Sequence, residues 1–223
     1  MKDRIPEIGP IEDRELVEYY SLMAKRYMRI PCQRVLSRIK AKGINEGKAL
    51  DVGTGPGIFP IFLSKALPEI CFKGIDLSPV MIELAKKNAI EEGLGNGIEF
   101  EVGSAYSLPC EDHSIDLLLC INTLHHLDRP VDFFNEVARS LKTGGAFVIV
   151  DFHRDTSSVI IGIFDLFWKV FFRNHPKAKE GFLKSVQSSY TIEECRTFLE
   201  QSKLRDWKLY TRMIEVWIES SKT

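Results

Sequence analysis

The chain lacks a charge excess: 30 Lys and Arg stand against 31 Asp and Glu, a formal net charge of −1. A nucleic-acid-binding protein usually presents a basic face, so a nucleic-acid partner is not expected. It also lacks any apolar run long enough to span a bilayer. No signal peptide precedes the charged start Met1-Lys2-Asp3-Arg4, and a cytoplasmic location is the expectation. Cysteine is sparse and unpatterned. The five (Cys32, Cys71, Cys110, Cys120, Cys195) form no Cys-x-x-Cys pair and no metal-ligand spacing. They read as reduced thiols in apolar contexts, and no metal site is expected. Internal repeats and low-complexity stretches are missing too. What remains is 223 residues with 44% hydrophobic and 27% charged content, the makeup of one globular domain with a full core.

The chain's most informative stretch runs from Ala49 to Gly57, Ala-Leu-Asp-Val-Gly-Thr-Gly-Pro-Gly. An apolar strand end leads into a carboxylate, Asp51, and then into Gly53, Thr54, Gly55 and Gly57. Glycines without Cβ atoms allow a tight turn and the close approach of a ligand to the main chain. The helix that follows aims free N–H groups and its positive end at that ligand. Such turns serve many nucleotides, but Asp51 discriminates among them. A carboxylate beside a phosphate chain is repelled, whereas one beside an ammonium group is attracted. A second acid, Asp76, closes the next strand, where doubly wound folds bind ribose hydroxyls.

Hydrophobic periodicity places these motifs on alternating strands and helices, the pattern of a parallel sheet. The reading gives helices over 12–29 and 33–41, and a strand over 48–52. A helix over 58–67, a strand over 70–75 and a helix over 79–92 follow, the last with Ser78 as N-cap and Pro79 at its first position. Strands over 98–102 and 115–121, a helix over 131–141 and a strand over 146–150 complete the core. The first ten residues, with Pro6, Gly9 and Pro10, read as a loose lead-in. Ser157 to Phe172 is apolar nearly all round, broken by Asp165 and Lys169. Such a helix must be buried, cover a ligand or meet a partner. Thr191 and Glu194 form a capping box that opens another helix, to about Ser202, and two closing strands follow over 206–212 and 214–219.

With Gly103-Ser104-Ala105, Asp116 to Leu127 and Leu141 to Gly145 in order behind the two acids, the chain resembles the class I S-adenosylmethionine (AdoMet)-dependent methyltransferases. It is most similar to the small-molecule branch that includes the ubiquinone/menaquinone C-methyltransferases. The resemblance spans roughly residues 48–151. It implies a Rossmann-like α/β fold, a seven-stranded mixed sheet of order 3-2-1-4-5-7-6 with helices on both faces. It also implies S-adenosyl-L-methionine as cofactor and a small-molecule acceptor. Residues 1–45 would form a helical cover, 46–152 the AdoMet-binding core, 153–190 a helical lid, and 191–223 a closing helix and strands.

The cofactor site would then use Asp51 for the amino group, Gly53, Thr54, Gly55 and Gly57 for the turn, and Asp76 for the ribose. Leu77 and Met81 would flank the adenine. Ser104 stands where many relatives carry Asp, and with Ala105 it would meet the adenine edge. The backbone near Asn122 would meet the methionine part. His126 aligns with a histidine that does acid–base work in phosphoethanolamine methyltransferases, and its ordinary pKa suits that task. Tyr27, on the N-terminal helix, is the second candidate catalytic residue. Phe164, Phe167, Trp168 and Phe171 would form an acceptor lid, and the 157–172 helix could carry a homodimer contact. The expectation is methyl transfer to an apolar or aromatic acceptor. A non-catalytic AdoMet-binding module, or an NAD-dependent oxidoreductase, is the alternative.

Overall fold

A computed structural model describes residues 3–7, 9, 12–173 and 178–221. Seven strands form one sheet in the order β3-β2-β1-β4-β5-β7-β6. They are β1 (Gly47–Val52), β2 (Ile70–Asp76), β3 (Ile98–Val102), β4 (Ile115–Ile121), β5 (Leu141–Phe152), β6 (Trp207–Arg212) and β7 (Glu215–Ser220). The first five run parallel, and β7 enters antiparallel between β5 and β6. β4 is buried along almost its whole length, as a central strand covered on both faces must be. Two apolar layers flank it. Leu117, Leu119 and Ile121 pack on one face with the helices over 29–41 and 58–66, and Leu118 and Cys120 on the other with those over 130–140 and 192–201.

The helices are α1 (Arg14–Tyr27), α2 (Arg29–Ala41), α3 (Ile58–Ala66), α4 (Pro79–Glu91), α5 (Pro130–Ser140), α6 (Ser158–Phe171), α7 (Gly181–Ser188) and α8 (Ile192–Gln201). Local chemistry explains several ends. The Met81 N–H donates to Ser78 Oγ at the start of α4 (3.3 Å). At α8 the Glu194 N–H donates to Thr191 Oγ1 (3.1 Å) and the Thr191 N–H to Glu194 Oε2 (2.8 Å), which completes the capping box.

Three elements depart from the sequence reading. The helix expected over 12–29 ends at Tyr27, and the next begins at Arg29. Pro31 has no N–H to donate, so it fits only the first turn of a helix, which puts the start of α2 just ahead of it. β5 begins at Leu141 directly after α5, its register with β4 shifting between Ile115 and Leu117 to pass Gly144 and Gly145. The lead-in is not loose. Arg4 donates to the carbonyls of Ser188 (2.6 Å), His125 (2.9 Å) and Leu127 (3.3 Å), and its guanidinium lies over the Tyr190 ring. Pro10 lies outside the described residues.

Candidate functional site

The carboxyl ends of β1, β2 and β4 converge on one cavity of about 280 Å³, a small-molecule scale. The glycine turn after β1 forms its floor. Gly53 and Thr54 both donate backbone N–H groups to the Ile75 carbonyl, at 2.8 and 2.9 Å, which fastens the turn to β2. Gly55 has φ +52° and open space where a Cβ would stand, so its backbone faces the cavity bare. Gly57 serves a different end: it opens α3 beneath Phe100 and Ala85 and does not line the cavity.

Asp76 lies across the turn. Its Oδ2 accepts from the Gly55 N–H (2.9 Å) and its Oδ1 from the Ser78 N–H (2.9 Å). A carboxylate has about four acceptor sites, so capacity for a further donor remains. Burial raises the Asp76 pKa, opposed by these backbone bonds. Asp51 is placed differently. It is buried behind the turn and accepts from Thr54 Oγ1 (2.7 Å), and neither residue reaches the cavity wall. Burial pushes the Asp51 carboxyl up to about 7, against the Thr54 hydrogen bond.

Leu77, Met81, Ser104, Ala105, Asn122 and His126 all line the cavity, with Gly53, Gly55 and Asp76. Asn122 holds a left-handed φ of +53° while its N–H donates to the Val150 carbonyl (2.7 Å), so the chain turns sharply off β4 into the cavity rim. Ser104 Oγ accepts from the Tyr106 N–H (3.2 Å). Tyr106, Thr123 and Asp128 also line the wall and were not singled out from the sequence. The Tyr106 hydroxyl donates to Asp128 Oδ1 (2.6 Å) and accepts from the Asp128 N–H (2.9 Å), joining the loops after β3 and β4.

The two adjacent histidines, expected to diverge as neighbours, instead lie together, their ring centroids 4.1 Å apart. His125 is buried, its Nδ1 2.7 Å from Asp151 Oδ1. His126 Nδ1 lies 3.0 Å from the Glu7 carbonyl. Burial first, then the neighbouring His125, pushes the His126 pKa down to about 4. His126 is therefore neutral near pH 7, and a far weaker base than its ordinary value implied.

Tyr27 does not reach the cavity. Its ring packs 4.7 Å from Phe171 on α6. The expected lid aromatics divide. Phe164 and Trp168 face inward against Phe182 (6.2 and 6.0 Å), while Phe167 points out and is 60% exposed. None of them lines the cavity.

Acids closing two parallel strands around a bare glycine turn define a nucleoside-binding α/β protein. A family model described as a methyltransferase domain matches residues 50–149. A demethylmenaquinone methyltransferase of Staphylococcus aureus is 30% identical over 173 residues, which are 74% of this chain and 70% of that protein. One from Deinococcus radiodurans is 28% identical over 219 residues, 89% of this chain and 86% of its own length. A provisionally assigned S-adenosyl-L-methionine-dependent methyltransferase structure from Methanococcus maripaludis has the same fold. Its TM-score is 0.75 at 23% identity, with 98% of this chain and 97% of that one covered. The chain belongs to the class I AdoMet-dependent methyltransferases, and AdoMet is its cofactor.

Proposed function

We propose that this methyltransferase acts on a small acceptor of apolar or aromatic character. The observation that carries the reading is a continuous aromatic layer leading away from His126. His125 packs near Phe152 (6.2 Å), Phe152 on Phe182 (5.6 Å), Phe182 on Trp168 (6.0 Å) and Trp168 on Phe172 (4.2 Å). These rings lie outside the cavity lining, and an acceptor reaching past the histidines would meet an apolar surface that favours a ligand with little hydration to give up. The names of the two demethylmenaquinone enzymes support the same class of acceptor.

In this reading Asp76 takes the ribose hydroxyls and the Gly55 backbone approaches the methionine part. Leu77, Met81, Ser104 and Ala105 surround the adenine, and the Asn122 backbone meets the carboxylate end. Asp51 and Thr54 act from behind the turn as a negative counterpart to the amino group. The sulfonium is already a good leaving electrophile, so in-line alignment and exclusion of water supply most of the acceleration. His126, neutral, acts chiefly by position. Tyr27 belongs to the aromatic roof.

The outer stripe of α6 supports a second proposal, a homodimer. Val159, Ile163, Leu166, Phe167 and Val170 stand 51–70% exposed at helical spacing, an apolar face that a two-fold axis would cover with itself. Five free cysteines fit a reducing, cytoplasmic setting. The test is S-adenosylhomocysteine (AdoHcy) formation across an acceptor panel. Turnover with reduced quinones or other planar apolar compounds is expected, and turnover confined to highly polar acceptors would overturn the acceptor reading.

A further inference from the structure

We propose that Glu7, His125 and His126 form a binding site for one divalent transition-metal cation of the zinc class. Glu7 and the adjacent pair His125 and His126, more than a hundred residues away, each offer one ligand atom, and these atoms lie within 4.8 Å of one another. Two unpartnered buried atoms point to a ligand independently. Neither His125 Nε2 nor Glu7 Oε2 has a hydrogen-bond partner.

The His125 ring is fixed in a way that leaves that nitrogen bare. A carboxylate can only accept, so with Asp151 in that form His125 Nδ1 carries the proton directed at Oδ1, 2.7 Å away. In the neutral ring Nε2 then holds a lone pair. Asp151 is itself held by the His125 N–H (2.8 Å) and the Phe152 N–H (2.7 Å), so carboxylate and ring form one rigid unit. A carboxylate that orients a histidine from behind and raises its basicity is the usual support for a metal ligand.

Glu7 reaches this place because the N-terminal strap is tied down. The Ile5 N–H donates to the Gln187 carbonyl (3.0 Å), and Arg4 grips the chain at Ser188, His125 and Leu127. Two buried acceptors facing one another are costly unless something positive lies between them. Two imidazoles and one carboxylate with an open position suit zinc and its neighbours, whose bonds of about 2.0–2.2 Å need only a modest contraction of the cluster. Magnesium and calcium prefer all-oxygen shells and are poorly served. Because His126 also lines the donor cavity, the cation would sit in its wall.

The inference does not rest on the choice of acceptor, and its test reads metal and not turnover. Chelator-stripped protein carrying Cys71→Ser, which removes the exposed thiol, is titrated with Zn²⁺ by calorimetry and with Co²⁺ by visible absorption. One cation per chain is expected, with the d–d bands of a low-coordinate nitrogen–oxygen Co²⁺ site. Glu7→Gln and His125→Gln should each weaken binding at least about tenfold. Glu7 lies outside any helix or strand, so Glu7→Gln carries the test even if His125→Gln fails to fold. Sub-stoichiometric binding, or wild-type Zn²⁺ affinity in folded Glu7→Gln, would overturn the proposal, and a proton shared by His125 and Glu7 would then account for the pair.

Discussion

Asp51 and Asp76 close neighbouring strands, yet their surroundings differ, and so do the predictions they carry. Asp76 lines the cavity and is held there by backbone N–H groups on both of its oxygens. Asp51 is walled in and pushed up to about 7. Its folded pKa is raised, so its contribution to apo-protein stability is full below the ordinary carboxylate pKa and is lost as pH rises through about 7. A cationic amino group at the turn reverses that balance by stabilising the carboxylate. AdoHcy affinity should therefore rise between pH 5.5 and 7.5, with proton release visible in buffers of different ionisation enthalpy. Asp51→Asn should flatten this dependence; an unchanged slope would detach Asp51 from the ligand. Gly55→Val should abolish AdoHcy binding while leaving the circular-dichroism spectrum native in shape, because the added side chain enters open space at the ligand's path. A positive φ there adds strain, so a modest fall in Tm should accompany it. Asp76 and the glycine turn were legible because their chemistry sits at a strand end. Tyr106, Thr123 and Asp128 were not, since loop residues carry no period and meet only through the fold.

At the scale of elements, the strand–helix alternation was readable because β4 is a continuous apolar run and α4 and α8 carry explicit caps. The α1–α2 break was read, but later in the chain than Met28, where it falls, and α7 was hidden by its length of 8 residues with no side-chain cap. β7 shows what pattern cannot reveal. Glu219, the last residue but one of β7, is fully buried and meets Arg38, Lys42 (3.4 Å) and the Tyr210 hydroxyl (3.3 Å). This knot and the two-pronged Arg34–Glu215 pair (2.9 Å each) hold α2 against the antiparallel end of the sheet. Glu219→Gln leaves two cations facing a neutral amide. A loss of about 3 kcal/mol is expected, the low end for breaking a buried pair because Arg38 is partly exposed. Urea unfolding should show a lower midpoint at unchanged slope. A midpoint within experimental error of wild type would mean that the network is marginal.

Across the whole molecule, α6 is where sequence and structure meet least simply. Its composition demanded a cover or a partner, and the helix does half of each. Phe164 and Trp168 join the inner aromatic layer, while the outer stripe stays uncovered; Lys169 pairs at 2.6 Å with Asp165, whose side chain is largely buried. Leu166→Asp should shift a dimer to monomer in sedimentation at micromolar concentration without altering AdoHcy affinity; a wild-type protein that sediments as a monomer would remove the self-association reading. Sheet order followed from family resemblance and not from periodicity, which fixes element type but not neighbours. The convergence of Glu7 with His125 and His126 lay beyond both, for it depends on a strap crossing the molecule. The account stands most directly on the nucleoside pocket itself. Calorimetric titration of AdoHcy into wild type and Asp76→Ala tests it. One molecule per chain should bind wild type, with affinity about ten- to hundred-fold weaker once the charged hydrogen bonds to the ribose are removed. Equal affinity in the two folded proteins would contradict it, as would no binding to either.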